Sequence, residues 1–280
     1  MDQNRRGLNN VRRWSIKMGW IVRALRLSLE HRMTAKEMAG FAWARLSRRV
    51  QDLEVRGLSF PDADPVVWTQ IFHIILLEEY SPPGFQVDRG NVVLDIGANR
   101  GVFVAYAVLC GAEEVHAFEP NRSNFDHLVK LVERNRLAQV ETTQRAVSDS
   151  EGPIKLYVNA RHSRHSIIEP NVLPEEEHSA VEVVDSIRLD DIVQSRGPID
   201  LIKMDCEGAE FEILLGASDK TLARIDRMVV EYHGSSDSPE LAGLSDRLKR
   251  AGFGLIVKPD PFGDPYGLLF AGAGGIRTSN

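Results

Sequence analysis

The sequence predicts an α/β fold built on an open, doubly wound and mostly parallel sheet of seven strands. Helices are expected before it and an antiparallel hairpin at its C-terminal edge. Three observations carry this expectation. After residue 90, short apolar runs alternate with helical stretches at the pace of strand–helix–strand crossovers. Glycines and acids gather where those apolar runs end. The last two extended runs flank a turn holding Pro259, Pro261, Gly263 and Pro265.

In chain order, residues 11 to about 50 read as helix. Trp14, Met18, Ile21, Leu25 and Leu29 recur at spacings of three and four, and Phe41, Trp43, Leu46 and Val50 extend the pattern. Gly57, Pro61, Asp62, Asp64 and Pro65 read as a linker. Trp68, Ile71, Phe72 and Ile74 to Leu77 predict a helix over 66–80, lying over the sheet edge and stopped by Ser81, Pro82, Pro83 and Gly84. Strands follow at 92–96, 115–118 and 140–144, with helices at 102–110 and 121–135 between them. Ile154–Val158 and Val181–Val184 read as extended segments around a polar insertion, 159–179, that carries His162, His165 and His178 and suits a lid or substrate loop. Later segments predict a helix at 188–195, a strand at 199–204, a helix through 211–215, a strand at 228–232 and a helix at 239–251. The hairpin of 253–257 and 266–271 closes the sheet. The expected domains are a basic helical extension and linker at 1–65, a ligand-binding domain at 66–272, and a flexible tail at 273–280.

Charge is unevenly spread. The chain is 280 residues long with a formal net charge of −6, yet residues 1–56 hold 13 Lys or Arg against 5 Asp or Glu. The acidic body argues against nucleic acid as a partner. The basic arm can lie on an anionic membrane as a peripheral contact, meet the acidic body, or pair with a second copy in a homo-oligomer. Two cysteines make no disulfide framework, which points to a reducing cytoplasm. No apolar run of 18 residues is present, so no transmembrane helix is expected.

The strongest local signal is V-V-L-D-I-G-A-N-R-G at 92–101. An apolar strand delivers Asp95, then Gly97, then Gly101 at a helix start. Glycines there admit close approach of a ligand, the helix start offers free N–H groups, and Asp95 can hold an ammonium. Glu119 closes the next strand, where a carboxylate can accept both hydroxyls of a ribose. The third glycine of the pyrophosphate fingerprint is missing. S-adenosylmethionine, which has a ribose but no pyrophosphate, therefore fits better than NAD. Val147 and Ser148, after the third strand, are candidates for contacts to the adenine edge.

A second cluster lies at I-D-L-I-K-M-D-C-E-G-A-E, residues 199–210, where a buried strand ends on Asp205, followed by Glu207 and Glu210. The next strand ends on Glu231, Tyr232 and His233. Open sheets bind ligands at that edge. Transfer to a hydroxyl would need its proton accepted, and His233 and Asp205, then His165 in the insertion, are the candidate bases for such a step. Asp205, Glu231 and His233 also offer donors to a divalent cation such as Mg²⁺, but their spacing matches no metal motif, so no metal is assigned. An NAD-dependent oxidoreductase, or a non-enzymatic binding protein working through the basic helices, are the alternatives.

D-I-G-A-N-R-G at 95–101, F-E-P at 118–120, A-V-S-D at 146–149, L-D-D-I at 189–192 and I-K-M-D-C-E-G-A-E at 202–210 together resemble the FkbM family of methyltransferases. The resemblance spans roughly residues 67–235. It implies the class I methyltransferase, Rossmann-like fold, S-adenosylmethionine as donor, and a small-molecule hydroxyl of a sugar, polyketide or other secondary metabolite as acceptor. It also implies Asp95, Gly97, Asn99 and Gly101 as the glycine loop, Glu119 as the ribose acid, and Asp205, Glu207 and Glu210 as the later acidic motif.

Overall fold

The computed structural model describes Thr34 and residues 50–159, 178–261 and 265–275. Apart from Thr34 and Val50, the predicted helix of 11–50 lies outside the described residues, as does His165. The chain divides into two compact units, Met1–Leu77 and Glu78–Asn280.

The first unit corrects the expected linker. Residues 51–63 form a hairpin of β1 (Gln51–Val55) and β2 (Leu58–Ala63), antiparallel, with Val55 opposite Leu58. Arg56 and Gly57, both at positive φ (49° and 85°), make its two-residue turn, whose twist matches that of paired strands. Alternation of Leu53 and Val55 is too short to stand out beside the basic helical pattern. Asp64 caps the next helix, its carboxylate accepting from Val66 N–H (2.9 Å) and Val67 N–H (3.0 Å), and Pro65 takes the first position, where no N–H is needed. Helix α1 (Pro65–Gln70) runs on as a wider π turn over Ile71–Leu76. The apolar run was expected to stay helical to residue 80; it ends at the Leu77 cap.

The second unit holds β3 (Val92–Ile96), α2 (Val102–Cys110), β4 (Glu114–Phe118), α3 (Arg122–Asn135) and β5 (Val140–Thr143). It continues through β6 (Ala146–Ser148), β7 (Gly152–Asn159), β8 (His178–Arg188), α4 (Leu189–Arg196) and β9 (Ile199–Met204). Then come α5 (Glu210–Gly216), α6 (Asp219–Leu222), β10 (Ile225–His233), α7 (Pro239–Arg250), β11 (Phe253–Pro259) and β12 (Tyr266–Ala273). Seven strands form the main sheet in the order β11–β12–β10–β9–β3–β4–β5. The pairs β10–β9, β9–β3, β3–β4 and β4–β5 are parallel, while β12 runs antiparallel to both neighbours. This is the class I methyltransferase-like arrangement that the sequence predicts.

The buried central strands read as unbroken apolar runs because both faces are covered. Leu94, Ile96, Ile202, Met204, Met228 and Val230 pack with Ile213 and Leu214 of α5 and Leu241, Leu244 and Leu248 of α7. Each such side chain contributes about 1.5–3 kcal/mol on burial. Helix α2 is apolar over its buried residues from Val102 to Ala107, and Arg122–Asn135 buries only Asn124, Leu128 and Leu131.

A three-stranded second sheet, β6–β8–β7, was not expected. Ala146–Ser148, whose bland alternative was a surface turn, form its buried parallel edge against Ser186–Arg188. The two predicted extended segments pair antiparallel across it. No helix among the described residues is long and apolar enough to cross a membrane.

Candidate active site

Strand β3 pairs with β4 on one side and β9 on the other, and the chain winds away from it in both directions. A crevice opens at the carboxyl ends of strands at such a switch point. Two backbone segments touch at its floor. Asp205 N–H donates to Ile96 O (3.0 Å). A Cβ on Gly97 would stand 1.9 Å from the carbonyl oxygen of Asp205, so only glycine lets the loop after β3 lie against the tip of β9.

Lys203, on β9 and opposite Asp95 in register, fastens the same place. Its ammonium donates to Gly97 O (2.7 Å) and lies 3.2 Å from Asp95 Oδ1 and 4.0 Å from Asp205 Oδ2. Burial alone would lower the lysine, but the charges of Asp95 and Asp205 outweigh it and push its pKa up. Asp95 is fully buried, and burial raises its pKa against the pull of Lys203. The ammonium stands within ion-pair range of Asp95 without the alignment of a hydrogen bond, and neither carboxylate oxygen has a hydrogen-bond partner. A buried acceptor of that kind suits an ammonium or a hydroxyl of a ligand.

Glu119 follows β4 and is 4% exposed. Its Oε2 accepts from Asn99 N–H (2.8 Å) and its Oε1 from Asn121 N–H (2.9 Å). Each oxygen keeps a lone pair, as two ribose hydroxyls require. Burial raises its pKa to about 7, against the lowering by those two N–H groups.

The cleft spans about 550 Å³ counted out to its open mouth. Gly97, Asn99, Glu119, Val147 and Asp205 line it, with Cys206 and Glu207. The other expected ligand contacts fall elsewhere. Gly101 is off the wall; a Cβ there would meet Leu128 and Leu131 at 2.7 Å, so it serves the packing of α2 on α3. Ser148 is off the wall too, its hydroxyl accepting from Ser150 N–H (3.3 Å) and lying 3.4 Å from Asp149 Oδ1. Asp95 sits behind the lining residues, where Lys203 holds it.

Beyond Asp205 the carboxylates crowd around one imidazole. His233 Nδ1 donates to Glu210 Oε1 (3.2 Å), and Nε2 lies 3.2 Å from Glu207 Oε2 and 3.9 Å from Glu231 Oε1. Glu210 is fully buried and also accepts from Cys206 N–H (2.6 Å) and Gly208 N–H (2.9 Å). It therefore binds the loop as well as the imidazole, and does more than favour a helix start. Burial alone would lower His233, but the hydrogen bond and charge of Glu210, then the charges of Glu207 and Asp205, push it up to about 10. The carboxylates around it favour the protonated imidazole, which counts against His233 as the base, a choice that rested on an ordinary imidazole pKa. His233 and Glu231 do not line the cleft. The phenol of Tyr80 donates to Glu231 Oε2.

Sequence reasoning gave no role to Lys203 or Tyr80. A lysine inside the apolar strand I-D-L-I-K-M is a signal, since a buried ammonium needs a paired carboxylate. Nothing near Tyr80 in the chain marks it; its partner is 151 residues away.

Comparison with known proteins places the chain in a family. The methyltransferase FkbM domain matches residues 95–255, from the Asp95 loop into β11. The chain is 29% identical over 221 residues to 31-O-demethyl-FK506 methyltransferase FkbM of Streptomyces tacrolimicus, covering 69% of this chain and 81% of that protein. It is 30% identical over 267 residues to the AMB antimetabolite synthetase AmbE of Pseudomonas aeruginosa, covering 81% of this chain but only 12% of that protein. A solved structure of methyltransferase FkbM from Methylobacillus flagellatus KT aligns over 84% of this chain and 58% of its own, at 16% identity and a TM-score of 0.47. With its domain matched from Asp95 through Leu255, the chain belongs to the family of methyltransferases that carry the FkbM domain.

Proposed function

We propose that the chain binds S-adenosylmethionine in the cleft between Gly97 and Glu119 and methylates a hydroxyl of a small molecule, with residues 66–272 as the donor-binding domain. The observation that carries this is Glu119: a carboxylate on the cleft wall whose two oxygens each keep a lone pair. The cleft suits the donor further. Gly97 brings backbone close to its wall, and behind it the buried Asp95 carboxylate is held by Lys203. A relative whose name describes methylation of 31-O-demethyl-FK506 supports an oxygen acceptor on a secondary metabolite.

The bound donor supplies a methyl on sulfonium sulfur, which passes to the acceptor oxygen while the carbon–sulfur electron pair stays on sulfur. The protein's part is positioning and proton removal. Lys203 holds the Gly97 carbonyl and the Asp95 and Asp205 carboxylates in one frame. Asp205 lies on the wall, where its carboxylate can take the hydroxyl proton. Calorimetric titration with S-adenosylmethionine, S-adenosylhomocysteine and NAD side by side tests the assignment; saturable NAD binding without the other two would favour an oxidoreductase.

A further inference from the structure

We propose that Asp205, Glu231 and His233 form a site for one divalent cation at the end of the donor cleft. The cation would give the acceptor oxygen a fixed point, a role that rests on the methyl-transfer reading, although the site itself does not.

The ligands come from two adjacent strand tips. Asp205 directly follows β9, and Glu231 and His233 are alternate residues of β10, so they face one side of the sheet while Tyr232 is buried on the other. One donor atom from each lies within 4.8 Å of the others. Three ligands of a cation bound at roughly 2.1 Å stand about 3.0–3.6 Å apart, so the side chains must close by about an ångström to seat one.

Each ligand is already aimed. Glu210 is fully buried and tied to two backbone N–H groups, so it cannot swing away from His233 Nδ1. It fixes the proton on Nδ1 and leaves Nε2 toward the cluster, the carboxylate–histidine arrangement that stands behind metal-ligating histidines. Tyr80 takes Oε2 of Glu231, which leaves Oε1, the oxygen nearer the imidazole, free to ligate. Asp205 Oδ1 is shielded from solvent with no hydrogen-bond partner. Asp205, Glu207, Glu210 and Glu231 surround one imidazole, with the Lys203 ammonium 4.0 Å from Asp205. Two hard oxygens and one imidazole nitrogen suit Mn²⁺ or Mg²⁺. Glu207, 3.2 Å from Nε2, holds that nitrogen's proton until a cation displaces it.

The test uses the full chain, stripped with EDTA and titrated with Mn²⁺, with loss of the free-ion electron paramagnetic resonance signal as the readout. One Mn²⁺ per chain is expected, carrying the nitrogen coupling of a bound imidazole in pulsed spectra. His233→Ala and Glu231→Gln should each weaken Mn²⁺ by at least the roughly 10- to 100-fold that even outer-sphere partners cost. Both should keep S-adenosylhomocysteine affinity, since neither side chain lines the donor cleft. Absence of bound Mn²⁺ with and without S-adenosylhomocysteine overturns the site. So does Mn²⁺ bound without nitrogen coupling, or bound equally well by both variants. Mn²⁺ binding with no S-adenosylhomocysteine binding would instead overturn the methyl-transfer reading and leave the cation site standing.

Discussion

Replacing Gly97 with alanine probes a tight approach of two backbone segments. The new Cβ would lie 1.9 Å from Asp205 O, whereas real Cβ atoms essentially never come under 3.0 Å, so the loop and the β9 tip must part by more than an ångström. At φ +75° the alanine adds roughly 1–2 kcal/mol of backbone strain. Parting also strains two bonds across the seam, Lys203 Nζ to Gly97 O and Asp205 N–H to Ile96 O. One has a charged donor, and such bonds contribute about 1.5–3 kcal/mol. The total is roughly 3–5 kcal/mol. For a domain of this size that lowers Tm by about 6–20 °C. Circular-dichroism melting gives the stability, and calorimetry with S-adenosylhomocysteine gives the site. Affinity should fall at least about tenfold, because displacements of an ångström at a positioned site carry large penalties. A Gly97→Ala protein that melts within about a degree of the parent and binds the ligand equally well would refute the idea that this seam shapes the cleft.

Removing the ammonium of Lys203 with Lys203→Met strands the buried Asp95 carboxylate and should cost about 3–5 kcal/mol in urea unfolding, most of it restored in the Lys203→Met/Asp95→Asn double variant; an undiminished single variant would contradict the pairing. Glu119 has a folded pKa of about 7 against an ordinary 4.5, so folding favours its protonated form. Its contribution is fully present below pH 4.5 and is lost as pH rises to 7, roughly 3 kcal/mol in all. Ribose binding needs the ionised form, so S-adenosylhomocysteine should bind about tenfold more weakly at pH 6 than at pH 8, and a flat profile would argue against Glu119 as its ligand. In metal-stripped protein, nitrogen NMR should find His233 doubly protonated at pH 8 and titrating near pH 10; a midpoint near 6.5 would restore it as a candidate base.

Much of the fold was legible because parallel strands buried on both faces read as continuous apolar runs. Ile199–Met204 is a strand with the predicted bounds, and the Phe253 and Tyr266 segments pair antiparallel as expected. The β1–β2 hairpin was missed because its turn, Arg56–Gly57, carries only one of the usual turn residues and its strands are short. The β6–β8–β7 sheet was missed because its pairing depends on residues 19 to 40 positions apart, which local periodicity cannot report. At the site, Gly97, Asn99, Glu119, Val147 and Asp205 reach the cleft wall from positions their motifs suggested. Gly101 and Ser148 carry the same motif signal but answer to helix packing and a local hydroxyl network. Residue type alone does not separate those roles. The charge state of His233 was illegible for a related reason: Glu207, Glu210 and Glu231 meet it only when strand and loop converge.

Calorimetric titration of S-adenosylhomocysteine into the parent and into Glu119→Ala, with Glu119→Gln to keep an acceptor for one of the Asn99 and Asn121 N–H groups, bears most directly on the donor site. One bound ligand per chain in the parent, no comparable heat from NAD, and affinity at least about tenfold weaker in both variants is the outcome expected from two lost charged hydrogen bonds. Equal binding by parent and variants, or binding of NAD alone, would contradict a donor site centred on Glu119.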